Sequence, residues 1–162
     1  MDEDQYRAAY NEINPNRCIF EKAITNRRCD CSLKHRFILA TREGVACQSE
    51  KALIRCTSVL NSMRNNARFS LKVITIDGPM PHNKELQVQA GGMLALQSLL
   101  SHTEPSIAST DSKTDLQTVT NIHKTLQAAL EQYSSIEQLP YGEIVKGIVK
   151  YVSRPKRKKN KE

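Results

Sequence analysis

Five cysteines stand between positions 18 and 56, at Cys18, Cys29, Cys31, Cys47 and Cys56, and none occurs in the 106 residues that follow. Their spacing is C-x10-C-x-C-x15-C-x8-C. Thiolates bind soft and borderline metals, and four of them satisfy the common iron–sulfur clusters as well as structural zinc. The spacing has neither the paired C-x2-4-C knuckles of a zinc ribbon nor the C-x2-C-x2-C run of bacterial ferredoxins. Ligands scattered over separate elements suit an iron–sulfur centre, of the 4Fe-4S type, better than a knuckle. Cys18, Cys29, Cys31 and Cys47 are the expected ligands. Cys56 falls in an apolar helical stripe, where a free cysteine behaves as a small core residue, and it is the substitute thiol. His35 lies one helical turn from Cys31 if this segment is helical, so zinc with a mixed donor set is the alternative. Redox-active thiols at Cys29-x-Cys31 are a further alternative.

The charge distribution bears on the same region. The chain carries a net +7 over 162 residues, but residues 17–72 alone sum to +8 and the tail 154–162 to +5, against −3 for 1–16 and −3 for 73–153. Arg17, Lys22, Arg27, Arg28, Lys34, Arg36 and Arg42 surround the cysteines, and basic groups near the sulfurs offset an anionic cluster. The opening MDEDQYRAAY is acidic and has no apolar h-region, and no stretch approaches the roughly 18 apolar residues of a membrane span. A soluble protein of the cytoplasm is the expectation, bacterial in type, in a reducing compartment where cysteines do not form a disulfide framework.

The elements that must hold these residues read as an α+β fold, predominantly helical. Residues 1–66 form a cysteine-bearing module of short helices. Pro15 and Asn16 precede CIFEKAIT, with Phe20 and Ile24 on one face. Asp30 or Ser32 opens a second helix over LKHRFILATRE, with Leu33 above Phe37 and Gly44 as the stop. Ser49 starts a third, whose stripe is Ala52, Leu53, Cys56, Val59, Leu60 and Met63, running to about Asn66. On this reading Cys18, Cys29, Cys31 and Cys47 all lie at helix starts, where the macrodipole favours thiolate.

Residues 67–153 follow as a hairpin and C-terminal helices sharing one core with the first module. Alternation at Phe69, Leu71 and Val73, and again at Leu86 and Val88, predicts strands over 69–76 and 85–90 around the turn-rich DGPMPHN. A two-stranded hairpin is marginal alone and must pack on helices or pair with a second copy, as in a homodimer. After Gly91-Gly92 come an apolar helix, MLALQSLL, and a polar linker, SHTEPSIASTDSKT. Two more helices are expected, over 115–133 and from Pro140 onward. The tail RPKRKKNKE is low in complexity and solvated.

Nothing nominates a catalytic set: G-x-S-x-G, the P-loop and H-E-x-x-H are all absent from the sequence. His82, His102 and His123 read as surface or capping side chains, and Gly91-Gly92 lacks the rest of a phosphate fingerprint. The expected role is therefore that of a carrier or sensor working through a protein partner. The basic tail offers nucleic acid or an anionic surface a weak, unspecific attraction.

Overall fold

The computed structural model describes residues 2–74, 79–101 and 118–152. In chain order they form α1 (Glu3–Ile13), α2 (Glu21–Thr25), β1 (Lys34–Leu39), β2 (Arg42–Cys47), α3 (Glu50–Ala67), α4 (His82–Leu86), a π-helical turn (Gln87–Gly91), α5 (Gly92–Ser101), α6 (Ile122–Tyr133) and α7 (Tyr141–Lys150). The fold is α+β and mostly helical, as the sequence indicates, with an antiparallel hairpin and C-terminal helices. Among the described residues no helix is long and apolar enough to cross a membrane.

The hairpin is not where the alternation puts it. It is the segment read as a second helix, LKHRFILATRE, that pairs with REGVAC, in a register from Lys34↔Cys47 to Leu39↔Arg42. The two-residue loop has Ala40 at φ 47° and Thr41 at φ 69°. Two successive positive φ angles make the type I′ geometry whose twist matches the strands, normally signalled by Asn-Gly or Asp-Gly. Here neither residue announces the turn. Gly44 does not stop a helix but lies opposite Phe37, whose ring occupies the space of a side chain: a Cβ on Gly44 would fall 2.4 Å from it.

The segments expected to pair at 69–76 and 85–90 do not. After α3 the chain turns, Lys72 takes φ 55°, and Phe69 and Ile74 are 94% exposed while Leu71 is buried. Residues 75 and 76 of the first segment lie outside those described. Leu86 to Gln89 belong to one helical run from His82 to Ser101, in which the π turn inserts an extra residue. Gly91 and Gly92 are therefore buried inside a helical run, not at a helix start that could hold a phosphate. They admit neighbours: Tyr151 packs on Gly91 and the Met63 sulfur on Gly92.

The remaining helices follow their sequence signals. Asp2 caps α1 in a reciprocal capping box with Gln5, and Ser49 caps α3 through the Ala52 amide. The α3 stripe buries Ala52, Val59, Leu60 and Met63, while Cys56 is only partly buried. Asn121 caps α6, which begins later than expected because Val119 is held in a backbone bridge with Cys29. In α7, Ile144 and Ile148 are buried, but Val149 is half exposed. α7 packs on α3, the π turn and α5, and α5 on α6. One apolar core runs from Phe20, Ile24 and Val45 through Leu60 and Met93 to Leu126 and Ile148. The linker 102–114 and the tail 154–162 lie outside the described residues.

A buried polar cluster locks α3 to the helical run. Glu85 is 1% exposed and accepts hydrogen bonds from Arg64 (Nε 3.0 Å and Nη2 2.5 Å), the Met80 amide (3.0 Å) and Gln89 Nε2 (2.9 Å). Burial would raise the carboxyl, but hydrogen bonds from Arg64, Gln89 and the Met80 amide, with the Arg64 charge, hold it below the ordinary glutamate value. A depressed folded pKa contributes stability that is complete above the unfolded value and is lost as the pH falls through the folded one. Two stability tests follow. In urea melts at neutral pH, Glu85→Ala is expected to cost about 3–5 kcal/mol by stranding Arg64 without its partner, with a smaller cost at acid pH where the carboxylate is already lost. Ala40→Asn with Thr41→Gly is expected to raise the melting temperature, relieving about 1–2 kcal/mol per left-handed residue at most.

Candidate metal centre

The cysteines sit on four backbone segments, and those carrying Cys18 and Cys47 are joined by a short ladder. The Cys18 amide donates to the Val45 carbonyl (3.0 Å) and the Cys47 amide to the Asn16 carbonyl (2.8 Å), flanking a bridge between Arg17 and Ala46. Cys18 is thus opposite Val45, and Cys47 lies two residues further along β2, so both thiols fall on one face of the ladder. Glu21 fixes this docking. It accepts from the Val45 amide (2.8 Å) and from Arg17 (2.8 and 3.0 Å), and the Tyr10 hydroxyl donates to it. Asn14 donates to the Tyr10 oxygen (2.9 Å) and to the Val45 carbonyl (3.2 Å). Burial and the Glu21 contact push the Tyr10 phenol up, so it stays a donor.

Cys31 comes just before β1, its carbonyl accepting from the Lys34 amide, and Lys34 pairs with Cys47. The Cys47 sulfur donates to the Ser49 carbonyl at 3.2 Å, beside the start of α3. Cys56 lies two turns along α3 and is partly buried. Cys29 is different: it is 4% exposed, its amide donates to the Ala23 carbonyl (3.2 Å), and its backbone bridges to Val119.

Only Cys47 stands next to the start of a substantial helix. Cys18 lies ahead of the five-residue α2, and Cys29 and Cys31 lead into a strand. The shared helix-start setting read from the sequence is absent for three of the four, because the segment taken as a helix is β1. The same change moves His35. On an extended strand it is exposed and opposite Ala46, four residues along from Cys31 and no longer one turn from it.

Burial governs the acidity of three of the thiols, Cys18, Cys29 and Cys56. It pushes Cys18 up to about 12, against a lowering hydrogen bond at Phe20, with the charges of Cys56, Cys31 and Cys47 adding to the rise. It also pushes Cys29 to about 12, with Cys18, Asp30 and Cys31 adding to it. Cys56 reaches about 11, where burial outweighs Arg55 and the charges of Cys31 and Cys47 contribute. The five thiols are drawn from positions up to 38 residues apart in sequence. Among the described residues, no three His, Cys, Asp or Glu side chains stand close enough to hold a single metal ion.

Two arrangements around the thiols go beyond what the sequence reading identified. Arg55 reaches His123 on α6 (Nη2 to Nδ1, 2.9 Å), and burial followed by the Arg55 charge lowers the His123 pKa. The Arg55 Nε is buried and has no hydrogen-bond partner among the described residues. Gln89, from the π turn, accepts from the Ala23 amide (3.0 Å) and donates to the Ile19 carbonyl (3.3 Å), which ties the Cys18 loop to the buried Glu85. Glu85 and Gln89 one turn apart on a helix were the available signal, hidden once the segment was read as a strand. A cavity of about 430 Å³ opens here, lined in part by Cys18, Lys22, Arg64 and Gln89.

No protein-family model, curated protein or solved structure matches this chain. The thiols themselves make a testable statement. A reactive redox cysteine needs a lowered pKa, and Cys18, Cys29 and Cys56 have raised ones. In metal-free, reduced protein at neutral pH, iodoacetamide is expected to label Cys29 at least 100-fold more slowly than in the unfolded chain, on the order of its loss of thiolate and access. Peptide mass spectrometry of native and denatured samples measures this ratio.

Proposed function

We propose that this chain is a small iron–sulfur protein of the cytoplasm that transfers electrons, delivers clusters or senses redox state through a protein partner. The observation that supports the reading is that all the cysteines are confined to residues 18–56, with the Cys18 and Cys47 segments joined by backbone hydrogen bonds. All five cysteines are free. Cys18, Cys31 and Cys47 would hold a 4Fe-4S cluster together with a fourth thiolate, from Cys29 or Cys56. When bound, such a cluster supplies a one-electron redox couple whose potential depends on burial and on hydrogen bonds to sulfur.

Two features of the chain bear on that group. The buried Arg55 Nε, without a partner among the described residues, offers a donor to a sulfur acceptor beside Cys56. The surrounding cations, among them Arg17, Lys22 and Arg55, would offset the cluster's negative charge.

Protein purified anaerobically at full length tests the reading. It is expected to be brown and to contain iron and acid-labile sulfide in equal amounts, near four of each per chain for this cluster type. Colourless protein that takes up neither after reconstitution with ferrous iron and sulfide would falsify the proposal. So would one equivalent of zinc that iron and sulfide cannot displace.

A further inference from the structure

The hairpin has two edges, and the chain closes only one of them. A two-residue loop makes Leu39 and Arg42 a pair that exchanges backbone hydrogen bonds, and such pairs recur at every second residue. The Gln48 amide, bonded to the Leu33 carbonyl (2.9 Å), keeps the same alternation. Leu33, His35, Phe37 and Leu39 therefore direct their backbone groups at β2, while Lys34, Arg36 and Ile38 direct theirs away from it. On β2 the outward residues Val45 and Cys47 are taken up by Cys18, Glu21 and Asn16. On β1 only Lys34 is served: its amide donates to the Cys31 carbonyl (3.4 Å), and its carbonyl accepts from Gln48 Nε2 (3.0 Å). The amides and carbonyls of Arg36 and Ile38 have no partner among the described residues. Of the described elements, β2 alone packs extensively along β1.

Such an edge is a template for one more strand, and this one is self-complementary. We propose that it pairs antiparallel with β1 of a second copy, about a twofold axis at Phe37, whether or not the protein holds a cluster. Arg36 then lies opposite Ile38 of the second copy, and Ile38 opposite its Arg36. Every open amide of one strand thereby meets an open carbonyl of the other. No other antiparallel register does this. An axis at Arg36 sets Ile38 against Lys34, whose groups are already engaged. An axis at Ile38 sets Arg36 against Ala40, which lies in the turn at φ 47°. The axis at Phe37 joins two hairpins into a four-stranded sheet, which gives each the further strand it needs.

The side chains suit that register. Ile38 is 70% exposed, and the methylene stem of Arg36 from the second copy would lie beside it. Within each hairpin Ile38 is opposite Glu43 and Arg36 opposite Val45. A row across the seam therefore runs Glu43, Ile38, then Arg36 and Val45 of the second copy, with opposite charges on either side of the isoleucine. Like charges, which destabilise a pair when directly opposite, do not meet in this register. Each Arg36 also keeps its own Glu43 at 3.4 Å, which offsets the approach of two basic strands. Phe37 meets Phe37 across the axis, at a closely spaced position favourable to aromatic pairs. An acidic strand from another protein would find less to pair with. Asp30 already holds Lys34, and Glu43 holds both Arg27 and Arg36.

Sedimentation equilibrium of the full-length protein over a concentration series tests the pairing, under reductant because all five cysteines are free. The mass is expected to rise with concentration from one chain to two, and amide exchange in the dimer to slow at Arg36 and Ile38. Ile38→Pro removes an outward amide and no bond of the hairpin. It is expected to stay a single chain at every concentration, with the wild-type circular dichroism. Ile38→Arg faces Glu43 within its own hairpin but Arg36 across the seam, and the twofold axis repeats that like-charge pair. It is expected to keep the wild-type melting temperature of the single chain and to weaken the dimer roughly tenfold; should Ile38→Pro lose the native dichroism, this variant decides. Wild-type protein that remains a single chain throughout overturns the proposal and leaves the edge to a strand of another protein. A dimer undiminished in natively folded Ile38→Pro or in Ile38→Arg places the interface elsewhere and overturns it too. So does a dimer in which the Arg36 and Ile38 amides exchange as fast as in the single chain.

Discussion

The carboxylate of Glu85 is shut away from water and has to be satisfied where it lies. An isolated buried charge costs several kcal/mol, so every element that supplies it with a donor is held in place. Arg64 brings α3, the Met80 amide brings the approach to α4, and Gln89 brings the π turn. Gln89 spends its remaining capacity on the Ala23 amide and the Ile19 carbonyl. The loop carrying Cys18 is thereby attached to the helical body through a chain of hydrogen bonds with little freedom at any link. The extra residue of the π turn sits at this junction, where it shifts the phase of the helical run so that Glu85, Gln89 and the glycines at 91 and 92 can all face inward.

A second polar cluster performs the complementary task at the hairpin. Glu21 takes the Val45 amide, Cys18 takes the Val45 carbonyl, and Asn14 and Tyr10 close the group. The residues between α1 and α2 thus dock on the outer edge of β2 through one isolated bridge, Arg17 to Ala46. This solves the problem of a two-stranded hairpin, which is marginal by itself. It also brings Cys18 beside Cys47, although 28 residues separate them in sequence. Burial in the same place keeps Cys18, Cys29 and Cys56 protonated near neutral pH.

The segment from Leu33 to Glu43 shows how a misread turn propagates. Its i, i+4 pair of Leu33 and Phe37 is equally compatible with helix and strand over so short a stretch. The deciding feature is a type I′ turn made by Ala40 and Thr41, residues that rarely adopt it and so give no local signal. Once read as a helix, the segment carried Cys29, Cys31 and His35 into a helical setting with it. The reverse error at 85–90 has the same origin. Leu86 and Val88 alternate with polar Gln87 and Gln89, but Gln89 is buried because Ile19, Ala23 and Glu85 satisfy its amide. Alternation in polarity was mistaken for alternation in exposure.

The sequence by itself determined the predominantly helical α+β class, the α3 stripe with its Ser49 cap, the α7 face around Ile144 and Ile148, and the crowding of all five cysteines into residues 18–56. These are local properties: a 3.6-residue period, a capping side chain and a composition bias are complete within a short window. Tertiary structure decided the position of the hairpin, the burial of Glu85 with Arg64, and how deeply each cysteine is buried. Each depends on partners tens of residues away, since Cys18 is set by Val45, Cys29 by Val119 and Ile19 by Gln89. No spacing along the chain encodes those distances. The distinction between Cys29 and Cys56 belongs to this second class: both are cysteines near apolar residues in the sequence, and the fold buries the first while leaving the second only partly buried.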